Sequence, residues 1–112
     1  MMADPLDEST FDTLADRALR ALETALNEIE GVEADLESGI VTIEFDDGVK
    51  FVINSHRAAR QIWMSAGARA WHFDVDATSG VWTATKTREE LWACLKGQIE
   101  QQLGRAIELA PR

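Results

Sequence analysis

The chain has 112 residues, 46% of them hydrophobic, and carries 20 acidic against 11 basic residues for a net charge of −9. That length suits one domain with a modest core. The hydrophobic share argues against a disordered acidic tail, and the charge argues against nucleic-acid backbones and anionic membranes as partners. No apolar run approaches the roughly 18 residues of a membrane span, and the start, Met1 to Pro5, lacks the basic and apolar regions of a signal peptide. The lone Cys94 excludes an internal disulfide and suits a reducing cytoplasm.

The charge is unevenly distributed. Residues 1–47 hold 14 acids and two bases, Arg17 and Arg20, a balance of −12; residues 48–112 hold six acids and nine bases, a balance of +3. Carboxylates gathered in one segment build a local field that concentrates cations and basic partners.

In chain order, the first element is an amphipathic helix over residues 10–29. Phe11, Leu14, Ala15, Ala18, Leu22, Ala25, Leu26 and Ile29 share one face, Ser9 or Thr10 can cap it, and Gly31 ends it. The period then drops to two. Val32, Ala34 and Leu36 alternate with Glu33, Asp35 and Glu37 in a half-buried strand. Ser38-Gly39 leads into a second strand, Ile40–Phe45, and Asp46-Asp47-Gly48 is a hairpin signal before a third, Val49–Asn54. Residues 55–60 read as a loop. Strands over Gln61–Ser65, Ala70–Val75 and Val81–Thr85 follow. A closing helix starts at the capping-box match Thr87-Arg88-Glu89-Glu90, with Leu91, Leu95, Ile99 and Leu103 inward and Gly104 at its end. Helix, five or six tightly connected strands, helix: this order predicts an α+β fold, a two-layer α-β sandwich with both helices on one face of a mainly antiparallel sheet.

At 100° per residue, Asp12, Asp16, Glu23 and Glu30 fall in one sector of the first helix, roughly 40° wide, with Asn27 on the same line and Glu28 apart. Glu33, Asp35 and Glu37 extend the stripe. Like charges at this spacing cost roughly 0.2–0.5 kcal/mol per pair, and hard cations such as Mg²⁺, Ca²⁺, Fe²⁺ and Fe³⁺ accept such oxygens. An open ridge cannot enclose an ion, so modest affinity and poor selectivity are expected, and a solvated acidic face is the plain alternative. His56 and His72 have no partner at metal-motif spacing and read as surface histidines. Cys94, amid apolar neighbours, reads as a structural thiol. No phosphate loop, nucleophile elbow or zinc motif is present, so no catalytic set is expected. With Ile62 and Met64 inward, Trp63 stands on the open sheet face, a candidate hot spot for a protein partner unless a neighbouring side chain covers it.

These features together carry a family resemblance. Leu14-Ala15-Asp16, Val41-Thr42-Ile43, Ile53-Asn54, Gln61-Ile62-Trp63-Met64-Ser65, Trp71-His72-Phe73-Asp74 and Trp82 follow in order, and the chain from Phe11 to Leu103 resembles the frataxin family, specifically its bacterial CyaY type. The resemblance implies one frataxin-like domain over residues 1–112, with 1–9 a flexible lead and 105–112 a C-terminal tail. It implies a non-enzymatic iron-binding protein that assists or regulates iron–sulfur cluster assembly by contacting the cysteine desulfurase and scaffold proteins. By position, the iron-binding and docking ridge corresponds to Asp12, Asp16, Glu23, Glu28, Glu30, Glu33 and Asp35, and the partner-binding sheet surface to Asn54, Gln61 and Trp63. Iron, Fe²⁺ or Fe³⁺, would bind weakly with other divalent cations competing, on a monomer able to form iron-dependent oligomers.

The chain also departs from that pattern. Where the family usually has Asn-x-Gln-x-Pro, this sequence reads Asn54-Ser55-His56-Arg57-Ala58, and Thr24 and Asn27 stand where acids are common. Weaker iron binding than a fully acidic ridge would give is therefore expected. The rival reading is an acidic protein–protein interaction module with incidental metal binding.

Overall fold

The computed structural model describes residues 6–111. Helix α1 (Glu8–Leu26) is followed by strands β1 (Val32–Glu37), β2 (Ile40–Phe45), β3 (Lys50–His56), β4 (Gln61–Ala66), β5 (Arg69–Val75) and β6 (Trp82–Ala84), then helix α2 (Leu91–Leu103). The strands form one sheet in the order β1-β2-β3-β4-β5-β6, each antiparallel to its neighbour. Both helices pack on the same face, giving the expected α+β sandwich with six strands. The alternation does this directly. Val41, Ile43, Phe45, Phe51, Ile53, Ile62, Met64, Trp71, Phe73 and Trp82 all point inward and are buried, meeting Phe11, Leu19, Leu22 and Leu26 of α1 and Leu91, Leu95 and Ile99 of α2. Each fully buried large side chain contributes about 1.5–3 kcal/mol.

Element ends differ from the sequence expectation where a side chain competes for backbone donors. The cap of α1 is Asp7, whose carboxylate accepts the Thr10 N–H at 2.8 Å, so the helix starts at Glu8 and takes in Ser9 and Thr10. It ends at Leu26 rather than residue 29, and Glu28 and Glu30 lie in the turn that Gly31 completes at φ +87°. Likewise α2 begins at Leu91, not Thr87. Glu90 caps it by accepting the Trp92 and Ala93 N–H groups at 2.8 and 3.1 Å. Thr87 instead accepts the Glu89 N–H in a turn that holds Arg88 at φ +66°. β3 runs on through Ser55 and His56, residues expected in a loop, because both continue the ladder with β4. Beyond α2, Ile107 and Leu109 are buried in the same core.

The two-residue turn Ser38-Gly39 has φ of +53° and +77°, the mirror-image geometry that matches strand twist, and it fixes the β1–β2 register at Glu37 opposite Ile40. β1 is an edge strand, yet its outer backbone is not left bare. The Asn27 side chain donates to the Ala34 carbonyl and accepts the Ala34 N–H, both at 2.8 Å, and Glu23 accepts the Leu36 N–H at 2.6 Å. Glu23 of α1 and Asn27 at its C-terminal cap thus imitate a seventh strand, which also blunts the edge.

Replacing Asn27 by Ala should cost about 1–3 kcal/mol in urea unfolding, because it removes a donor and an acceptor together. Asn27→Asp should not rescue, since it sets a carboxylate against the Ala34 carbonyl. At the other end of α1, the Thr10 backbone N–H, and then its hydroxyl, hold the Asp7 carboxyl below its usual value of 3.8. A carboxyl depressed in the folded state stabilises above its unfolded pKa and stops doing so as pH falls through the folded one. Protection of the Thr10 amide, its exchange rate taken against the intrinsic rate at each pH, should therefore fall on acidification below about pH 4, and in Asp7→Asn it should lose that dependence.

Candidate functional site

The sequence-derived ridge residues do not share one environment. Asp12 pairs with Arg57 at 3.0 Å, Glu8 faces Arg57 and Arg60 at 3.6 and 3.9 Å, and Asp16 pairs with Arg20 at 2.8 Å. These pairs are exposed and contribute at most about 1 kcal/mol each, but they neutralise the first half of the border. Glu23 is turned onto β1 and holds the Leu36 N–H. Glu28 and Glu30 lie in the turn after α1 beside a shallow cavity of about 310 Å³ shared with Arg105, whose guanidinium donates to the Glu30 carbonyl.

The second half is different. Glu33 and Asp35 project from the solvent face of β1, and the register places Glu44 of β2 directly opposite Glu33, with Thr42 opposite Asp35. Together with Asn27 they line an open concavity of about 430 Å³. Among the described residues none of these three carboxylates makes an ion pair; Glu44 faces Glu33 on one side, where like charges repel, and Lys50 of β3 on the other. Glu44 was absent from the sequence-derived site. The signal for it was present, since a two-residue turn at Ser38-Gly39 dictates that Glu33 faces Glu44. The described residues contain no group of three or more His, Cys, Asp or Glu side chains arranged to hold a metal ion, so any cation here would keep much of its water.

The open sheet face gathers the other set. Asn54, Trp63 and His72 lie in register across β3, β4 and β5, with His56 opposite Gln61 and Gln61 opposite Asp74. Trp63 is half-buried because two imidazoles cover its ring faces: His56 stacks at 3.8 Å and 17°, His72 at 4.3 Å and 12°. Its indole N–H donates to Gln61, whose amide donates to Asp74, both at 2.9 Å. The two histidines, read from sequence as unremarkable surface residues, therefore sit within the candidate surface. Sequence spacing could not bring them together, because their meeting depends on the β3–β4 and β4–β5 registers. Cys94 is buried in α2, and burial first, with the Glu89 charge adding, pushes its thiol up to about 12.

A model of the frataxin-like domain matches residues 4–105. The chain belongs to the frataxin-like family. It is 39% identical over 103 residues to a protein of Ralstonia nicotianae, covering 88% of this chain and 89% of the relative. It is 36% identical over 110 residues to one of Cupriavidus metallidurans, covering 94% and 97%. Both relatives are named iron-sulfur cluster assembly protein CyaY. Among solved structures it resembles the frataxin of Psychromonas ingrahamii with a TM-score of 0.84 at 24% identity, covering 92% of this chain and 97% of that one. It also resembles a trimeric yeast frataxin complexed with ferrous, with a TM-score of 0.62 at 22% identity, covering 93% and 92%. These two likenesses establish the shared frataxin fold.

Two outcomes test this geometry. Arg57→Ala should release Asp12, leaving Glu8 facing Arg60, and extend divalent-cation shift perturbations from β1–β2 into the first turns of α1. Cys94 should resist aromatic disulfide reagents at pH 8 in the folded protein and react fully once unfolded, since a thiol held near 12 is almost entirely protonated there.

Proposed function

We propose that this frataxin-like protein is a non-enzymatic, cytoplasmic iron-binding factor that assists or regulates iron–sulfur cluster assembly. The observation that carries the reading is the carboxylate group at the β1–β2 border, Glu33, Asp35 and Glu44, beside Asn27 and Thr42, three acids against one cross-strand lysine, Lys50 opposite Glu44. Hard oxygen donors on an open surface suit Fe²⁺ or Fe³⁺ that keeps part of its hydration shell, with modest affinity and competition from other divalent ions. Glu28 and Glu30 flank this border. Glu23, Asp12 and Asp16 contribute field more than ligation, because each already has a hydrogen-bond or ion-pair partner. The names of the relatives supply the pathway; the ligand assignment rests on these side chains.

The same field would dock a basic groove of the cysteine desulfurase, while Asn54, Gln61 and Trp63 offer the scaffold protein a rigid aromatic surface. Bound iron would lower the field and so weaken docking. The yeast relative was solved as a trimer; a monomer with iron-dependent association is the reading proposed for this chain. The test is NMR titration with Fe²⁺, then with a diamagnetic divalent ion. Shifts should concentrate in residues 28–44 and fall at least tenfold in affinity in Glu33→Gln/Asp35→Asn/Glu44→Gln. Unchanged iron binding in that variant would refute the site.

One observation favours the alternative of an interaction module with incidental metal binding. Arg20 and Arg57 already occupy Asp16 and Asp12, so this border accepts guanidinium groups. If the triple variant loses desulfurase binding while its iron binding is unchanged, the module reading prevails.

A further inference from the structure

At the opposite side of the sheet from the acidic border, β6 leaves β5 early. The ladder ends with the Thr85 N–H donating to the His72 carbonyl at 2.9 Å, and β5 continues outward as Ala70 and Arg69 without β6 beside it. A cavity of about 270 Å³ opens there, lined by Arg69–His72 of β5 and Ala84–Thr87. Its charged lining is wholly basic, Arg69 and Lys86, and no carboxylate lines it. Among the described residues neither cation makes an ion pair, in a chain with 20 acids.

The cavity has further donors. Arg69 is laid over the Trp71 ring at 4.7 Å, which limits its rotamers. His72 is held flat against Trp63 from the other side. Thr87 uses its hydroxyl oxygen to accept the Glu89 N–H at 3.3 Å, which leaves the hydroxyl proton available. In an antiparallel ladder the backbone groups of residues two apart point the same way. Since the His72 carbonyl faces β6, the Ala70 N–H and carbonyl both face the gap beyond its end, one backbone donor and one acceptor. A guanidinium and an ammonium lining one concave site, with a threonine hydroxyl also in the lining, are the complement of an oxyanion.

We propose that this gap binds a small oxyanion, a phosphate or a carboxylate-bearing metabolite, with Arg69 and Lys86 as the charged contacts. Being open and salt-exposed, the site should bind with dissociation constants of the order of millimolar. It lies apart from the proposed iron border and does not depend on that assignment.

The test is NMR titration of the full chain with inorganic phosphate and, separately, with citrate, each against sodium chloride of equal ionic strength. Saturable shifts at residues 69–72 and 84–87 are expected, falling about tenfold in affinity in Arg69→Gln and in Lys86→Gln. Saturation by phosphate alone, by citrate alone or by both supports the site and identifies which oxyanion it takes. The exposed positions of both residues make loss of folding an unlikely outcome of substitution, and thermal unfolding of each variant checks it. Shifts no larger than those with sodium chloride would overturn the proposal. So would equal shifts around Arg57, Arg60 and Arg105, or retained affinity in both variants.

Discussion

Closure of the β1 edge by α1 is the constraint on which the acidic border depends. An edge strand rich in carboxylates gains little from packing, since only Val32 of its inner positions is fully buried while Ala34 and Leu36 are partly so. What holds β1 in place is hydrogen bonding: the two-way pairing of Asn27 with Ala34 and the Glu23 contact to Leu36. Such bonds are individually modest, yet they set where Glu33 and Asp35 stand relative to α1, while the β1–β2 register puts Glu33 opposite Glu44. A fully acidic helix face could not do this, because a carboxylate cannot donate to the Ala34 carbonyl. Asn27 therefore forgoes a charge and fixes the strand.

The negative segment consequently resolves into two regions with different electrostatics. Toward the start of α1, arginines from the same helix and from the β3–β4 turn sit on Glu8, Asp12 and Asp16. Toward β1 and β2, Glu33 faces Glu44 and Asp35 stands beside them, with Lys50 opposite Glu44 as the one cross-strand cation and no arginine pairs. Exposed pairs are screened by salt and exchange readily, so the first region is a reservoir of charge that a stronger basic partner can claim, while the second carries standing repulsion. Under the proposed function, cations belong to the second region and guanidinium-rich surfaces to either.

Much of this was legible in the sequence, and the failures have local causes. Period-two alternation located all six strands, because each inward position meets a helix and has to be apolar. The tight turns forced neighbouring pairs, so the sheet order followed. Helix starts were misplaced because Asp7 and Glu90 each reach back to bond the N–H groups of their own first turn. A carboxylate at the cap competes with the hydroxyls of Thr10 and Thr87, and spacing alone does not rank them. Glu30 fell off the predicted helical stripe once α1 stopped at Leu26. The stacking of His56 and His72 on Trp63 needed three strands in register, information that no local window contains.

The turn between β3 and β4 ties the two candidate surfaces together. His56, the last residue of β3, lies against one face of Trp63, and the next residue, Arg57, reaches Asp12 and Glu8 on α1. The His56 ring also accepts the Ala59 N–H at 3.3 Å, which braces the turn that presents Arg57 and Arg60. Moving either anchor disturbs the other, because only one peptide unit separates them and the turn has few free dihedrals. A partner that drew Asp12 away from Arg57 would loosen the segment that covers Trp63. One that displaced His56 from the indole would in turn unsettle the arginines that neutralise the first half of the border. Residues His56 and Arg57 thus place the sheet face and the helix border in direct succession along the chain.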